Sequence, residues 1–203
     1  SVESAGSTSL FRSVLNVSNN DFRNSFTASA VGVDLGDNFV TVNVIGNSFL
    51  NRSILMRHGV FQNNAVMGGS APGANFVWDP QATGSGILIS NNNFDSRVSS
   101  IVLGTNAGII RATLVFEGNV CKCPLTVALA GVVGDWTFKG NNISTLLGGF
   151  GVFPAVTMSG AGSLTTWIGN TLVGRPVTSP FPVMAVGFTS SSTTPIEFHS
   201  NVV

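Results

Sequence analysis

An all-β chain wound as a right-handed parallel β-helix, a solenoid of about seven to eight rungs with an internal asparagine ladder, is the fold this sequence predicts. Three observations carry that expectation. One motif recurs along nearly the whole chain, a residue tolerant of positive φ precedes its asparagine, and the composition is that of a dry core under an uncharged polar surface.

The motif is apolar-x-apolar-x-[Gly/Asn/Ser]-Asn-x-apolar. It occupies residues 15–22 (LNVSNNDF), 42–49 (VNVIGNSF), 87–94 (ILISNNNF), 114–121 (LVFEGNVC), 136–143 (WTFKGNNI), 165–172 (TTWIGNTL) and 196–203 (IEFHSNVV), with a weaker copy at 59–66 (GVFQNNAV). The asparagines concerned are Asn20, Asn47, Asn64, Asn92, Asn119, Asn141, Asn170 and Asn201. Their spacing varies while the motif stays constant, so the variation belongs to turns and loops.

Within each copy the two leading apolar residues alternate as on a strand, so Val42 and Val44 share a face, as do Leu114 and Phe116. The asparagine and the apolar residue two places later are out of phase with that pair. A one-residue slip must separate them, and a left-handed residue provides it at little steric cost. The slip position holds Asn19, Gly46, Asn63, Asn91, Gly118, Gly140, Gly169 and Ser200, mostly residue types that tolerate positive φ. With the slip, each asparagine turns inward. An unpaired buried amide would cost several kcal/mol, so the asparagines must bond one another between rungs about 4.8 Å apart. Hairpins are the competing reading, but a hairpin turn favours Asn-Gly, whereas here the order is Gly-Asn.

A second strand follows each motif, at Ala30 to Leu35, Ser100 to Leu103, Thr126 to Leu129, Ala155 to Met158 and Met184 to Phe188. Stretches such as Phe39 to Thr41 and Ile109 to Thr113 are expected to form a short third side. The apolar run from Leu125 to Val133 reads as a buried strand. Residues 67–86, 146–154 and 173–182 are expected to project as loops, where binding function concentrates.

Composition agrees. The chain has 203 residues, 43% of them apolar and only 9% charged, with nine basic and nine acidic side chains cancelling. One domain spanning 1–203 is the expectation. The sequence stops inside a motif copy at Asn201-Val202-Val203, without the polar cap a solenoid end needs, which reads as a fragment of a longer solenoid. Fifteen Phe and no Tyr fit dry inward positions. The dispersed Lys and Arg argue against a nucleic-acid partner. No leader-like segment opens the chain, and no apolar run approaches the length of a membrane span.

Chemistry-bearing clusters are sparse. Cys121 and Cys123, spaced as Cys-Lys-Cys, read as two small core residues, too few to make a metal site, and no cofactor is implied. His58 and His199 have no serine or cysteine partner pattern for a triad. Two positions before the key asparagine, the outward column Ser90, Glu117, Lys139, Ile168 and His199 reads as solvated, with Glu117 and Lys139 neighbours. Three positions after the motif, Arg52, Arg97 and Arg175 form a column where an anionic glycan could dock, although solvated corner charges explain it as well. Asn16, Asn51 and Asn142 open Asn-x-Ser sequons, glycosylation acceptors if the chain is secreted from a eukaryotic cell.

This rung pattern resembles the pectin-lyase-like superfamily, many of whose members cleave acidic polysaccharides. Lyases of that fold gather carboxylates for calcium beside a basic residue, and its hydrolases cluster aspartates. Here the nine acidic residues are scattered, so the resemblance implies scaffold and not site. At finer grain, residues 43–53 (NVIGNSFLNRS) and 56–64 (MRHGVFQNN) are similar in style to the dispersed gene family surface proteins of trypanosomes. That implies a cell-surface or secreted segment with an adhesive role. Residues 61–69 (FQNNAVMGG) resemble the repeats of bacterial polymorphic autotransporters, but only once.

The functional expectation is therefore a non-enzymatic, extracellular or cell-surface β-solenoid that presents loops for adhesion or recognition of a glycan or a host or matrix protein. A polysaccharide lyase, hydrolase or tailspike-like depolymerase, and a purely structural spacer, are the alternatives.

Overall fold

The structure is a computed structural model, and it describes residues 14–23, 33–35, 41–68, 75–80, 85–96, 98, 100–104, 110–129, 132–144, 156–160, 164–173, 186–189 and 196–203. Every regular element among them is a β-strand, and every strand pairing is parallel.

Three sheets form the sides of the solenoid. The first stacks β1 (Val14–Ser18), β4 (Thr41–Ile45), β7 (Gly59–Gln62), β10 (Ser85–Ser90), β13 (Ile110–Glu117), β17 (Asp135–Lys139), β20 (Leu164–Ile168) and β23 (Ile196–His199), with β16 (Val132–Val133) also pairing β13. The second stacks β2 (Asp21–Arg23), β5 (Ser48–Leu50), β8 (Ala65–Met67), β11 (Asn93–Phe94), β14 (Val120–Cys121), β18 (Asn142–Ser144) and β21 (Thr171–Val173). The third stacks β3 (Val33–Leu35), β6 (Ile54–Met56), β9 (Asn75–Trp78), β12 (Ser100–Leu103), β15 (Leu125–Leu129), β19 (Val156–Gly160) and β22 (Val186–Thr189). The chain is thus a parallel β-solenoid, and the antiparallel hairpin reading is excluded.

Each repeat motif straddles the corner between the first and second sheets. In the copies at 42–49, 87–94, 114–121, 136–143 and 165–172 the first and third residues are buried on the first sheet, and the last is buried on the second. Along β4 the even members Val42 and Val44 are buried, and after the slip it is Asn47 and Phe49 that are buried. The register aligns these inward residues rung over rung, so Val44 lies beside Phe61, Ile89 beside Phe116, and Phe138 beside Trp167. Ring contacts follow: Phe22 stacks on Phe49 at 5.0 Å, and Phe138 on Trp167 at 4.0 Å with the planes 4° apart. The wholly buried Phe and Trp side chains make one continuous core along the stack. Each contributes on the order of 2 kcal/mol or more of burial energy.

Two expectations change. Of the stretches 39–41 and 109–113 expected as a third side, Thr41 opens β4 and 110–113 open β13, extending motif strands, while residues 39, 40 and 109 lie outside the described residues and the sheet of second strands is the third side. Residues 67–86 are not simply a projecting loop, because Asn75–Trp78 forms β9 and pairs with β6 and β12. Phe76 and Trp78 are fully buried there, and the burial of two aromatic rings holds that short strand in the wall. The short step from Asn47 to Asn64 is a complete rung, with β5, β6 and β7 joined by brief corners. The segments 146–154 and 174–182 lie outside the described residues, whereas Val173 ends β21.

Candidate functional site

The eight motif asparagines form one unbroken ladder. From Asn20 to Asn170, each backbone N–H donates to the side-chain oxygen of the next rung's asparagine at 2.8–3.0 Å. Each Nδ2 donates to that same oxygen at 2.8–3.2 Å. From Asn47 to Asn201, Nδ2 also donates back to the carbonyl oxygen three residues before the previous rung's asparagine, at 2.8–2.9 Å. An interior asparagine such as Asn119 therefore uses both amide hydrogens and accepts two bonds. Its amide is fully satisfied while wholly buried, as burial of a polar group requires.

The slip residue makes this possible. Asn19, Asn63, Asn91 and Ser200 have φ of 53–56°, and Gly46, Gly118, Gly140 and Gly169 have φ of 61–69°. Each is left-handed, as the phase of the motif demands. From Asn19 to Gly169 their N–H groups cross to the next rung: Gly46 donates to Gln62 O at 3.0 Å and Gly118 to Lys139 O at 2.9 Å. The corner keeps its backbone bonds while the chain changes direction.

Outside the wall the register fixes columns of side chains. Glu117 lies between Ser90 and Lys139, followed by Ile168 and His199, as the motif alignment implies. His199 Nε2 lies 3.7 Å from Glu197 at the surface. One member departs from the outward, solvated reading: Ser90 is buried, between the longer Gln62 and Glu117, and its hydroxyl has no hydrogen-bond partner among the described residues.

Of the candidate glycan-docking arginines, Arg52 is half-buried and its Nη2 donates to Arg23 O at 3.1 Å, tying one rung's corner to the previous one. Arg23 in turn pairs with Asp21. Arg97 and Arg175 lie outside the described residues. Among the sequon asparagines, Asn16 is exposed and its Oδ1 accepts from Asn43 Nδ2 at 2.8 Å, a single outer step parallel to the inner ladder. Asn142 is exposed on β18, and Asn51 is half-buried at a corner with φ of 54°.

A polar corner escaped the sequence reading. Met56 pairs with Trp78, so Arg57 and Asp79 follow in adjacent rungs, and His58 follows Arg57 in the chain. Asp79 N–H donates to Met56 O at 2.9 Å, and the Trp78 indole donates to Arg57 O at 3.1 Å. Each of the three residues has a partner. The aspartate-proline pair ending β9 was the available signal, but only the third-sheet register brings it beside Arg57.

Cys121 and Cys123 are buried free thiols. Burial, with a smaller push from Cys123, holds the Cys121 thiol well above its ordinary range. Burial, with Asp95 nearby, pushes the Cys123 thiol up to about 12. Both behave as core residues.

No family model, curated protein or solved structure matches the chain. It is a parallel β-solenoid. Among the described residues no three His, Cys, Asp or Glu side chains come together as a metal site, and no helix is long and apolar enough to cross a membrane. What the geometry does supply is a rigid wall that orders outward side chains into rows at rung spacing.

Proposed function

We propose that this chain is a non-enzymatic, extracellular or cell-surface β-solenoid segment that presents loops for adhesion or ligand recognition. One observation carries the reading: the wall keeps its register across connections of very unequal length. Residues 51–53 join β5 to β6, whereas residues 174–185 join β21 to β22, yet both second-to-third-sheet passages end in parallel third-sheet strands. A scaffold that tolerates such variation at one corner can hold different segments in a fixed order without disturbing its ladder.

The resemblance in rung style to pectin-lyase-like proteins, and of residues 43–53 and 56–64 to trypanosome surface proteins, supports placing the segment outside the cell. Arg52, Arg97 and Arg175, each three residues after a motif copy in the sequence, favour an anionic glycan as ligand, and the sequons at Asn16, Asn51 and Asn142 are compatible with that compartment.

The experiment is a glycan and matrix-protein array probed with the chain and with a variant whose residues 174–185 are replaced by a short Gly-Asn connection. Binding that disappears in the variant, while its thermal melt is retained, supports display by loops. New reducing ends or unsaturated products from uronate-containing glycans, with or without calcium, would replace adhesion by a depolymerase. Silence on every array would leave the spacer role.

A further inference from the structure

One column on the outer face of the first sheet gathers side-chain oxygens that bind nothing among the described residues. Gln62, Ser90 and Glu117 stand in register on β7, β10 and β13, three successive rungs in the middle of the stack. Ile87 and Ile89 are the inward residues of β10, so alternation turns Ser90 outward, yet it is only 1% exposed. Its short side chain is covered by the two longer ones beside it. The Ser90 hydroxyl is thereby buried with no hydrogen-bond partner among the described residues, a state in which buried polar groups are seldom left.

The side chains around it are equally uncommitted. Gln62, Asn91 and Glu117 make no side-chain hydrogen bond or ion pair among the described residues. Asn91 follows Ser90 with φ of 54° and carries its Oδ1 across to the next rung, where a Cβ on Gly118 would overlap it. Gly118 is the residue after Glu117, so the missing side chain there lets the Asn91 oxygen lie beside the Glu117 rung. Lys139 is next in the column, but it forms no ion pair with Glu117.

A carboxylate, two amide carbonyls and a hydroxyl are the donors a hard cation selects. A sugar or a peptide reaches the Ser90 hydroxyl only by parting Gln62 from Glu117, whereas an ion fits between them. We infer that Gln62, Ser90, Asn91 and Glu117 hold a divalent cation of the calcium class on the outer wall. Calcium accepts an irregular shell of roughly 6–8 oxygens completed by water, while magnesium demands a near-ideal octahedron and sheds its water reluctantly. With a single carboxylate the affinity falls at about 0.1–1 mM, the range of extracellular modules. Only one acidic residue takes part, so no cluster of carboxylates marks the site. The bound ion fastens β7, β10 and β13 from outside as Asn64, Asn92 and Asn119 do from within. It stands on the wall alone and holds whether or not the loops bind a ligand.

The test is calorimetric titration of the 203-residue chain with calcium chloride, beside melts at matched ionic strength in calcium, magnesium and potassium chlorides. Calcium should bind one ion per chain with a midpoint of about 0.1–1 mM and raise the melting temperature, and magnesium and potassium should not. Glu117→Gln should abolish binding and Ser90→Ala should weaken it about tenfold. Melts without calcium establish that each variant folds, and if Glu117→Gln does not, Gln62→Ala takes its place. Lys139→Gln removes a repelling charge next to Glu117 and should tighten binding about threefold, whereas Lys122→Gln, exposed beyond the second sheet, should leave it unchanged. No saturable calcium binding up to about 10 mM, or an equal response to magnesium, overturns the inference. So does binding that survives undiminished in the Glu117 and Ser90 variants, which would place the ion elsewhere.

Discussion

Asn119 is bound by Asn92 through two bonds to one oxygen, the backbone N–H at 2.9 Å and Nδ2 at 3.0 Å, while its own Nδ2 returns to Ile89 O at 2.9 Å. The amide thus closes a loop of bonds between two rungs, in a core otherwise made of aromatic and aliphatic side chains.

Truncation at such a position strands several groups at once. Asn119→Ala leaves Asn92 N–H and Nδ2, Ile89 O and Asn141 Oδ1 each short of a partner, and should destabilise the chain by about 3 kcal/mol or more. Asn142→Ala, one strand away but outward and exposed, should cost less than about 0.5 kcal/mol. Urea melts of the two variants compare them directly, and equal midpoints would show that the ladder does not hold the rungs.

Glycine positions divide by what a Cβ would meet. At Gly59, with φ of 103°, a Cβ would overlap the carbonyl oxygen of Val42 on the previous rung, and backbone cannot move aside cheaply. Gly59→Ala should destabilise by about 3 kcal/mol or prevent folding. At Gly140 nothing lies within 4 Å and φ is +61°. Gly140→Ala should cost about 1 kcal/mol, and Gly140→Asn close to nothing, because Asn19, Asn63 and Asn91 occupy the same conformation elsewhere. Thermal unfolding of the three variants should rank them in that order.

The two thiols predict a pH dependence. In the unfolded chain they ionise at about pH 8.5, whereas in the folded chain Cys123 does so only at about 12 and Cys121 is also raised. Between those limits the native state holds more protons, so stability falls as pH rises. Their contribution is full below the unfolded value and is lost toward the folded one. Denaturant midpoints should drop between pH 8 and pH 10.5, and less so in Cys123→Ala. Neither thiol should be alkylated at pH 8 until the chain is unfolded, and labelling at the unfolded rate would contradict their burial.

Thr165 is wholly buried on β20, and its hydroxyl has no hydrogen-bond partner among the described residues. Thr165→Val removes that group at nearly constant shape and should raise stability by about 0.5–1 kcal/mol. A drop in melting temperature would mean that the hydroxyl is bonded after all.

Much of the site and fold was legible because it is local and repeated. The phase slip before each asparagine could be counted along the chain, and positive φ at Asn19, Gly46, Asn63, Asn91, Gly118, Gly140, Gly169 and Ser200 is its structural form. The inward turn of Asn47 or Asn141 followed from that count, and so did the Glu117–Lys139 neighbour relation. β6 and β9 were not legible. Ile54–Met56 and Asn75–Trp78 are too short to carry a period of their own, and strand pairing with remote residues is what makes them wall and not loop.

By itself, then, the sequence determined the residue types at the corner, their phase and the inward amide, since these depend only on backbone sterics and on the need to pair a buried polar group. Tertiary structure alone decided which asparagine donates to which, that Arg57 neighbours Asp79, and that Gly59 faces the Val42 carbonyl. Those relations connect residues whose sequence separation is set by connections of variable length, and only stacking in register brings them together.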